Sequence, residues 1–212
     1  MPVVTAVKRQ PKTNRERVEE STVALVASAI ELFARQGYER TTAAEIGTNA
    51  GFSRNMVRDR YGSKDALLQS VFEEFAHQLM PAVRSERTGT GLDHVLSQID
   101  DLLTAVESEP ETMRAMIVLT FETPGPLQSF AGWFDRLISD YESELASHLT
   151  TGQADGSVRV DLDPAREAEV FVSYAIGLCF RSALRREAYD FVGEIRAFRD
   201  RIATQYGTSR TR

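Results

Sequence analysis

Apolar residues recur at helical spacing along almost the whole chain, and no segment longer than a few residues alternates as a half-buried strand does. That pattern restricts the fold to packed helices. Val18, Leu25, Val26, Ala29, Ile30 and Phe33 form one such face, and the spacing predicts a helix over 17–36, stopped by Gly37. Thr42 followed by Glu45 fits a capping box and predicts a short helix over 43–50. Ser53 reads as the N-cap of a third helix ending near Tyr61, and Ser63 as that of a fourth reaching Met80, just before Pro81. Residues 82–91 read as a loop, and Leu92, Leu96, Ile99, Leu103 and Val106 mark a fifth helix. Ser108 and Pro110 open a sixth, reaching Phe121. Leu127, Phe130, Phe134, Leu137, Tyr141 and Leu145 line a seventh, followed by a loop with Gly152 and Gly156. Val158 and Val160 fit a fragment of extended chain, Asp163 and Pro164 start an eighth helix, and Phe191, Ile195, Phe198 and Ile202 form a heptad-like stripe on a ninth.

Composition excludes several classes. With 212 residues, 42% hydrophobic and 26% charged, the chain is neither disordered nor collagen-like, and one cysteine, Cys179, excludes a disulfide scaffold and fits a reducing compartment. The most apolar run, 170–180, is far shorter than the roughly 20 residues a membrane span needs. No apolar stretch follows the charged N-terminus, so no secretory signal is read and a cytoplasmic location without membrane partners is expected. His77, His94 and His148 are scattered, and no spacing resembles a metal site, a phosphate loop or a nucleophile elbow. Catalytic residues, metals and cofactors are therefore not expected.

The net charge of −6 hides an asymmetry. Residues 1–64 carry 11 Lys or Arg against 7 Asp or Glu, whereas 65–212 carry 14 against 24. A basic end on an acidic body fits a polyanion partner at that end, although surface charge can also vary by chance. The first 14 residues, with Pro2, Pro11 and three of these cations, read as a mobile basic arm.

The two short helices at 43–60 carry the most information. Neither is stable alone, and the short Gly51 turn between them matches a helix-turn-helix, whose second helix enters a major groove. Val57 and Tyr61 are spaced to face inward, leaving Arg54, Asn55, Arg58 and Asp59 outward. Arg can read guanine and Asn adenine with paired hydrogen bonds. The helix starts at Thr42, Ser53 and Ser63, with Lys64 beside the last, offer N–H groups to phosphates. The same residues also fit a plain reading, in which they cap helices and solvate a surface.

Residues 31–68, ELFARQGYERTTAAEIGTNAGFSRNMVRDRYGSKDALL, resemble the N-terminal domain of the TetR family of transcriptional regulators. The resemblance rests on Phe33, Gly37-Tyr38, Thr41-Thr42, Ile46, Ala50-Gly51-Phe52-Ser53, Tyr61, Ser63-Lys64-Asp65 and Leu67 at matching spacings. It implies an all-α homodimer with a helix-turn-helix domain over 15–63 and a ligand-binding and dimerisation domain over 64–212. It further implies a repressor released from a pseudopalindromic double-stranded DNA operator by a small molecule. Thr42, Ser53 and Lys64 match phosphate-contacting positions, and Arg54 and Asn55 match variable base-reading positions. Arg58 and Arg60 stand where the family has aromatic residues or His, and an ionic phosphate contact is expected from them instead. Gly47 replaces the family's usual Ala, a change expected to cost about 1 kcal/mol in an exposed helix.

In the body, Met80, Met113, Met116, Phe121, Phe130, Trp133, Phe134 and Tyr174 are candidates to line a pocket for an apolar or aromatic effector. The alternative for each is ordinary core. Trp133 lies off the main stripe and is the first choice, and Tyr174 offers a hydroxyl. The eighth helix is apolar nearly all round, so a homodimer interface is expected there and on the ninth, at Phe171, Leu178, Phe191, Ile195, Phe198 and Ile202. A second functional reading remains: a small-molecule sensor or helical protein-interaction module without DNA binding.

Overall fold

The computed structural model describes residues 13–84, 88–185 and 188–208, without the side chains of 74 and 76–84. Among them are nine α-helices: α1 (Asn14–Gln36), α2 (Ala43–Asn49), α3 (Met56–Tyr61), α4 (Lys64–Arg84), α5 (Gly91–Ser108), α6 (Pro110–Glu122), α7 (Ala131–Asp155), α8 (Pro164–Arg185) and α9 (Phe191–Tyr206). A 3-10 turn at Gln128–Phe130 leads into α7. Most of the predicted basic arm lies outside the described residues. Its last two do not behave as an arm: Thr13 caps α1 and forms a box with Glu16, so the helix starts three residues earlier than predicted.

Other boundaries move for identifiable reasons. The box at Thr42 and Glu45 forms as predicted. Ser53 does not cap α3; its carbonyl accepts from Met56 N, residues 54 and 55 complete a turn, and Asn55 precedes the helix without a side-chain cap. Helix α4 continues through Pro81 to Arg84, since the φ to which proline is restricted lies near the helical value. An unpredicted box at Thr90 and Asp93 starts α5 at Gly91. Helix α7 continues past Gly152 because the left-handed turn waits until Gly156, at φ +81°. The extended fragment reduces to one bridge between Val158 and Gly207.

Two apolar cores run through the chain. The upper core joins Leu25, Phe33, Ile46 and Val57 of the first three helices to Leu67 and Phe72 of α4, Met116 and Leu119 of α6, and Phe134 of α7. The head is thus packed onto the body through α4 and α6. The lower core joins Val95 and Ile99 of α5 to Leu145 and Leu149 of α7, with Phe171 and Leu178 of α8 and Ile195, Phe198 and Ile202 of α9.

This placement revises the interface expectation. Phe171, Leu178, Ile195, Phe198 and Ile202 are buried within a single chain, and Phe191 is half-buried. Helix α8 fills its inner sides with α7, α6 and α9 of its own chain. Its outer face instead exposes Val170, Phe180 and Leu184, the last with 69% of its surface accessible.

His148 of α7 meets the His94 ring of α5, with centroids 5.1 Å apart, and Glu144 lies 3.7 Å away. Burial, then His94, holds its pKa below the usual value of 6.5. The unfolded chain therefore takes up this proton first as pH falls, so the contribution is complete above about pH 6.5 and is lost as pH drops toward the folded value. The melting temperature should fall between about pH 7.5 and about pH 5.5, and His148→Gln should shrink that fall. An unchanged fall in the variant, measured by thermal melts, would show that other groups set it.

Candidate DNA-binding head and ligand cavity

Helix α3 presents one polar face. Val57 is fully buried, while Arg54, Asn55, Arg58 and Asp59 are exposed. Arg54 and Asn55 occupy the turn ahead of the helix rather than its first turn. Gly47 of α2 explains how tightly this turn closes. It is buried, its carbonyl accepts from Phe52 N at 2.9 Å, and a Cβ there would stand 2.5 Å from the Ser53 carbonyl oxygen. The exposed-helix cost expected of this glycine therefore does not apply.

Two predicted phosphate contacts turn inward. Arg60 donates to Ser21 Oγ at 2.7 Å, tying α3 to α1. Lys64 Nζ donates to the carbonyls of Tyr38 and Thr41 at 2.9 and 2.8 Å, and lies 3.6 Å from the Tyr38 ring centroid. Two of its three N–H bonds are thus used inside the head. Burial lowers its pKa, partly offset by Asp65 and other carboxylates. Thr42 Oγ1 serves its cap through Glu45, and its side chain remains exposed, as does that of Ser53. Arg54, Arg58, Thr42 and Ser53 thus remain outward on this face. Sequence alone does not reveal such inward turns, because the partners of Arg60 and Lys64 lie 39 and 26 positions away.

The same turn receives a contact from the body. Tyr38 N donates to Glu122 Oε2 at 2.7 Å, and Tyr38 OH donates to Asp65. Gly37, at φ +78°, leaves room for this, since a Cβ there would overlap Glu122 Oε1. Burial, with Asp65 next, raises the pKa of the Tyr38 hydroxyl, so it stays a donor. One residue at the end of α6 thus contacts the corner that Lys64 holds from α4.

Helix α6 also walls a cavity. A space of about 190 Å³ lies between α4, α6, α7 and α8, lined by Met113, Met116, Phe121 and Phe134 among others. A second, of about 170 Å³, lies between α5, α7, α8 and α9. The two share Tyr141, Val172, Ile176 and Cys179 as common wall. Four predicted pocket residues therefore meet at the first chamber. Trp133 and Phe130 do not: they pack on Phe72 of α4, with ring centroids 4.9 and 5.3 Å away. Tyr174 stacks on Phe198 at 4.6 Å and lies under Arg201. The Met80 side chain lies outside the described residues. Burial pushes the Cys179 thiol up to about 11, which leaves it a protonated, weakly nucleophilic part of the wall.

The sequence reading missed Gln98. It is 3% exposed, lines the second chamber, and neither its amide oxygen nor its nitrogen has a hydrogen-bond partner. Leaving such groups unpaired costs about 1–3 kcal/mol each. The available signal was its position: Val95, Gln98, Ile99 and Leu102 follow the 0, 3, 4, 7 spacing of a core-facing stripe. Among the described residues, no group of His, Cys, Asp or Glu is arranged to hold a metal ion, and no helix is long and apolar enough to cross a membrane.

Residues 25–71 match the family model for bacterial regulatory proteins of the tetR family. None of the curated proteins matches the chain in sequence. Solved structures share its fold. The chain superposes on tylp, a tetR regulator from Streptomyces fradiae, with a TM-score of 0.68 and 21% identity, covering 91% of this chain and 89% of that one. For the fatty acid degradation regulator FadR of Bacillus halodurans the values are 0.74 and 14%, with 96% and 100% covered. For SmeT in its complex with triclosan they are 0.76 and 15%, with 90% and 93% covered.

Proposed function

As its N-terminal domain makes this chain a member of the tetR family of bacterial regulatory proteins, we propose that it is a homodimeric, sequence-specific repressor released from its operator by a small apolar ligand. The observation that carries the DNA-binding part is the face of α3, where Arg54, Asn55 and Arg58 stand exposed on a turn and helix fixed from below by Val57. Arg54 and Asn55 read bases; Arg58, Thr42 and Ser53 contact phosphates. The dimer forms through the outer face of α8, where Val170, Phe180 and Leu184 are exposed. It presents two copies of α3 to successive major grooves, about 34–36 Å apart.

Ligand release runs through α6. Met113, Met116 and Phe121 meet the cavity, while Glu122 holds Tyr38 of the head. A ligand that binds better when α6 is displaced moves the head with it, and its leverage equals its differential affinity for the two arrangements. The SmeT complex with triclosan, a protein of the same fold, supports an apolar aromatic effector class.

The DNA-binding part is tested by salt titration of duplex binding. The logarithm of the association constant should fall linearly with the logarithm of salt, by about 0.9 per phosphate neutralised. Arg58→Ala should reduce that slope by about one and leave sequence preference intact. An unchanged slope would remove Arg58 from the phosphate contacts. Salt-independent or absent binding would favour a sensor without DNA binding.

A further inference from the structure

Gln98 sits in the chamber between α5, α7, α8 and α9 with both ends of its amide unpaired. The rest of the wall explains what it can receive. Apolar side chains such as Ile99, Leu102, Phe171 and Phe198 surround it, and the adjoining chamber continues with Met and Phe side chains. Thr120, a polar residue of that adjoining chamber, is occupied, since its hydroxyl donates to the Met116 carbonyl at 2.8 Å. Among the described residues no Lys, Arg or His lines either chamber, whereas Asp101 lines the one that holds Gln98. Beside Gln98, an anionic head group would meet the Asp101 carboxylate and no cation among the described residues. An amide offers donors and an acceptor side by side, and the group that satisfies both is another amide or a close equivalent.

We propose that Gln98 is the hydrogen-bonding anchor of this cavity, and that its ligand is an uncharged, largely apolar molecule carrying one carboxamide-like group. The head group pairs with the Gln98 side chain, and the apolar body extends past Tyr141 and Ile176 toward α6. The two chambers together reach the lower end of the range for small-molecule sites, roughly 300–1,000 Å³. The proposal rests on the reading of this cavity as the effector site, and it adds the chemistry of the effector.

The test is calorimetric titration of the full chain with octanamide, octan-2-one and octanoate, which share an alkyl body and differ in head group. Octanamide should bind at least tenfold more tightly than either of the others. Gln98→Leu, which keeps an apolar side chain of similar size, should abolish that preference. Gln98→Met serves the same purpose if the leucine variant fails to fold, as judged by a thermal melt. Equal affinities, absence of octanamide binding, tighter binding of octanoate, or a preference that survives in the variant would each overturn the anchor. The same samples are then assayed for duplex binding. Octanamide held through Gln98 without any change in DNA affinity would leave the anchor standing and overturn the release reading instead.

Discussion

Phe72→Ala is expected to lower the unfolding free energy by about 3–5 kcal/mol, the range for removing a large aromatic side chain from a packed core. Phe72 is 1% exposed and touches three other rings: Phe130 at 5.3 Å, Trp133 and Phe134 each at 4.9 Å. Trp133 and Phe134 also pack on each other at 5.0 Å, so the four rings form one unit between α4 and α7. Truncation at position 72 removes the member common to all these contacts and leaves a cavity that three rigid rings fill poorly. Because α4 begins at the head, the head should loosen with it. Chemical denaturation measures the loss, and Phe72→Leu should lose less. A loss below about 1 kcal/mol would mean that the cluster repacks freely and does not fix the head to the body.

Lys64→Met should destabilise the fold by about 3 kcal/mol, since two charge-assisted hydrogen bonds are lost and partial exposure favours the lower end of the roughly 1.5–3 kcal/mol that each contributes. The ammonium bridges the Tyr38 and Thr41 carbonyls across the turn that precedes α2, and its stacking on the Tyr38 ring is lost as well. DNA affinity should fall for every sequence alike, in step with the melting temperature. Arg54→Ala should behave in the opposite way. Its side chain is exposed and has no partner among the described residues, so stability should change by less than about 0.5 kcal/mol. Discrimination at one base position should fall by about 1–3 kcal/mol, or tenfold for each 1.4 kcal/mol. A Lys64→Met variant with unchanged stability and weakened DNA binding would return Lys64 to the phosphate contacts.

Helix types and most boundaries were legible because local chemistry sets them. The box at Thr42 and Glu45, the Asp163 cap of α8 and the inward pair of Val57 and Tyr61 each depend on residues within a few positions. Long-range partners were not legible. Arg60 and Lys64 carry the right charge in the right motif, yet Ser21, Tyr38 and Thr41 draw them inward across the fold. The aromatic residues of α7 show the same limit. Trp133 and Phe134 are adjacent, and only the position of α4 decides that Trp133 covers Phe72 while Phe134 also reaches the cavity. Helix α8 is apolar all round, which signals burial on several sides, but not that α7, α6 and α9 of the same chain take most of it.

The most direct test of the central claim is selection of bound sequences from a random duplex library by the full-length protein at moderate salt. The account predicts a pseudopalindrome whose half-site centres lie about one helical turn, or a multiple of it, apart. Positions under Arg54 and Asn55 should be the most constrained, and that constraint should relax when the selection is repeated with Arg54→Ala. Failure of the folded protein to enrich any sequence, both as purified and after refolding to strip bound ligand, would contradict it.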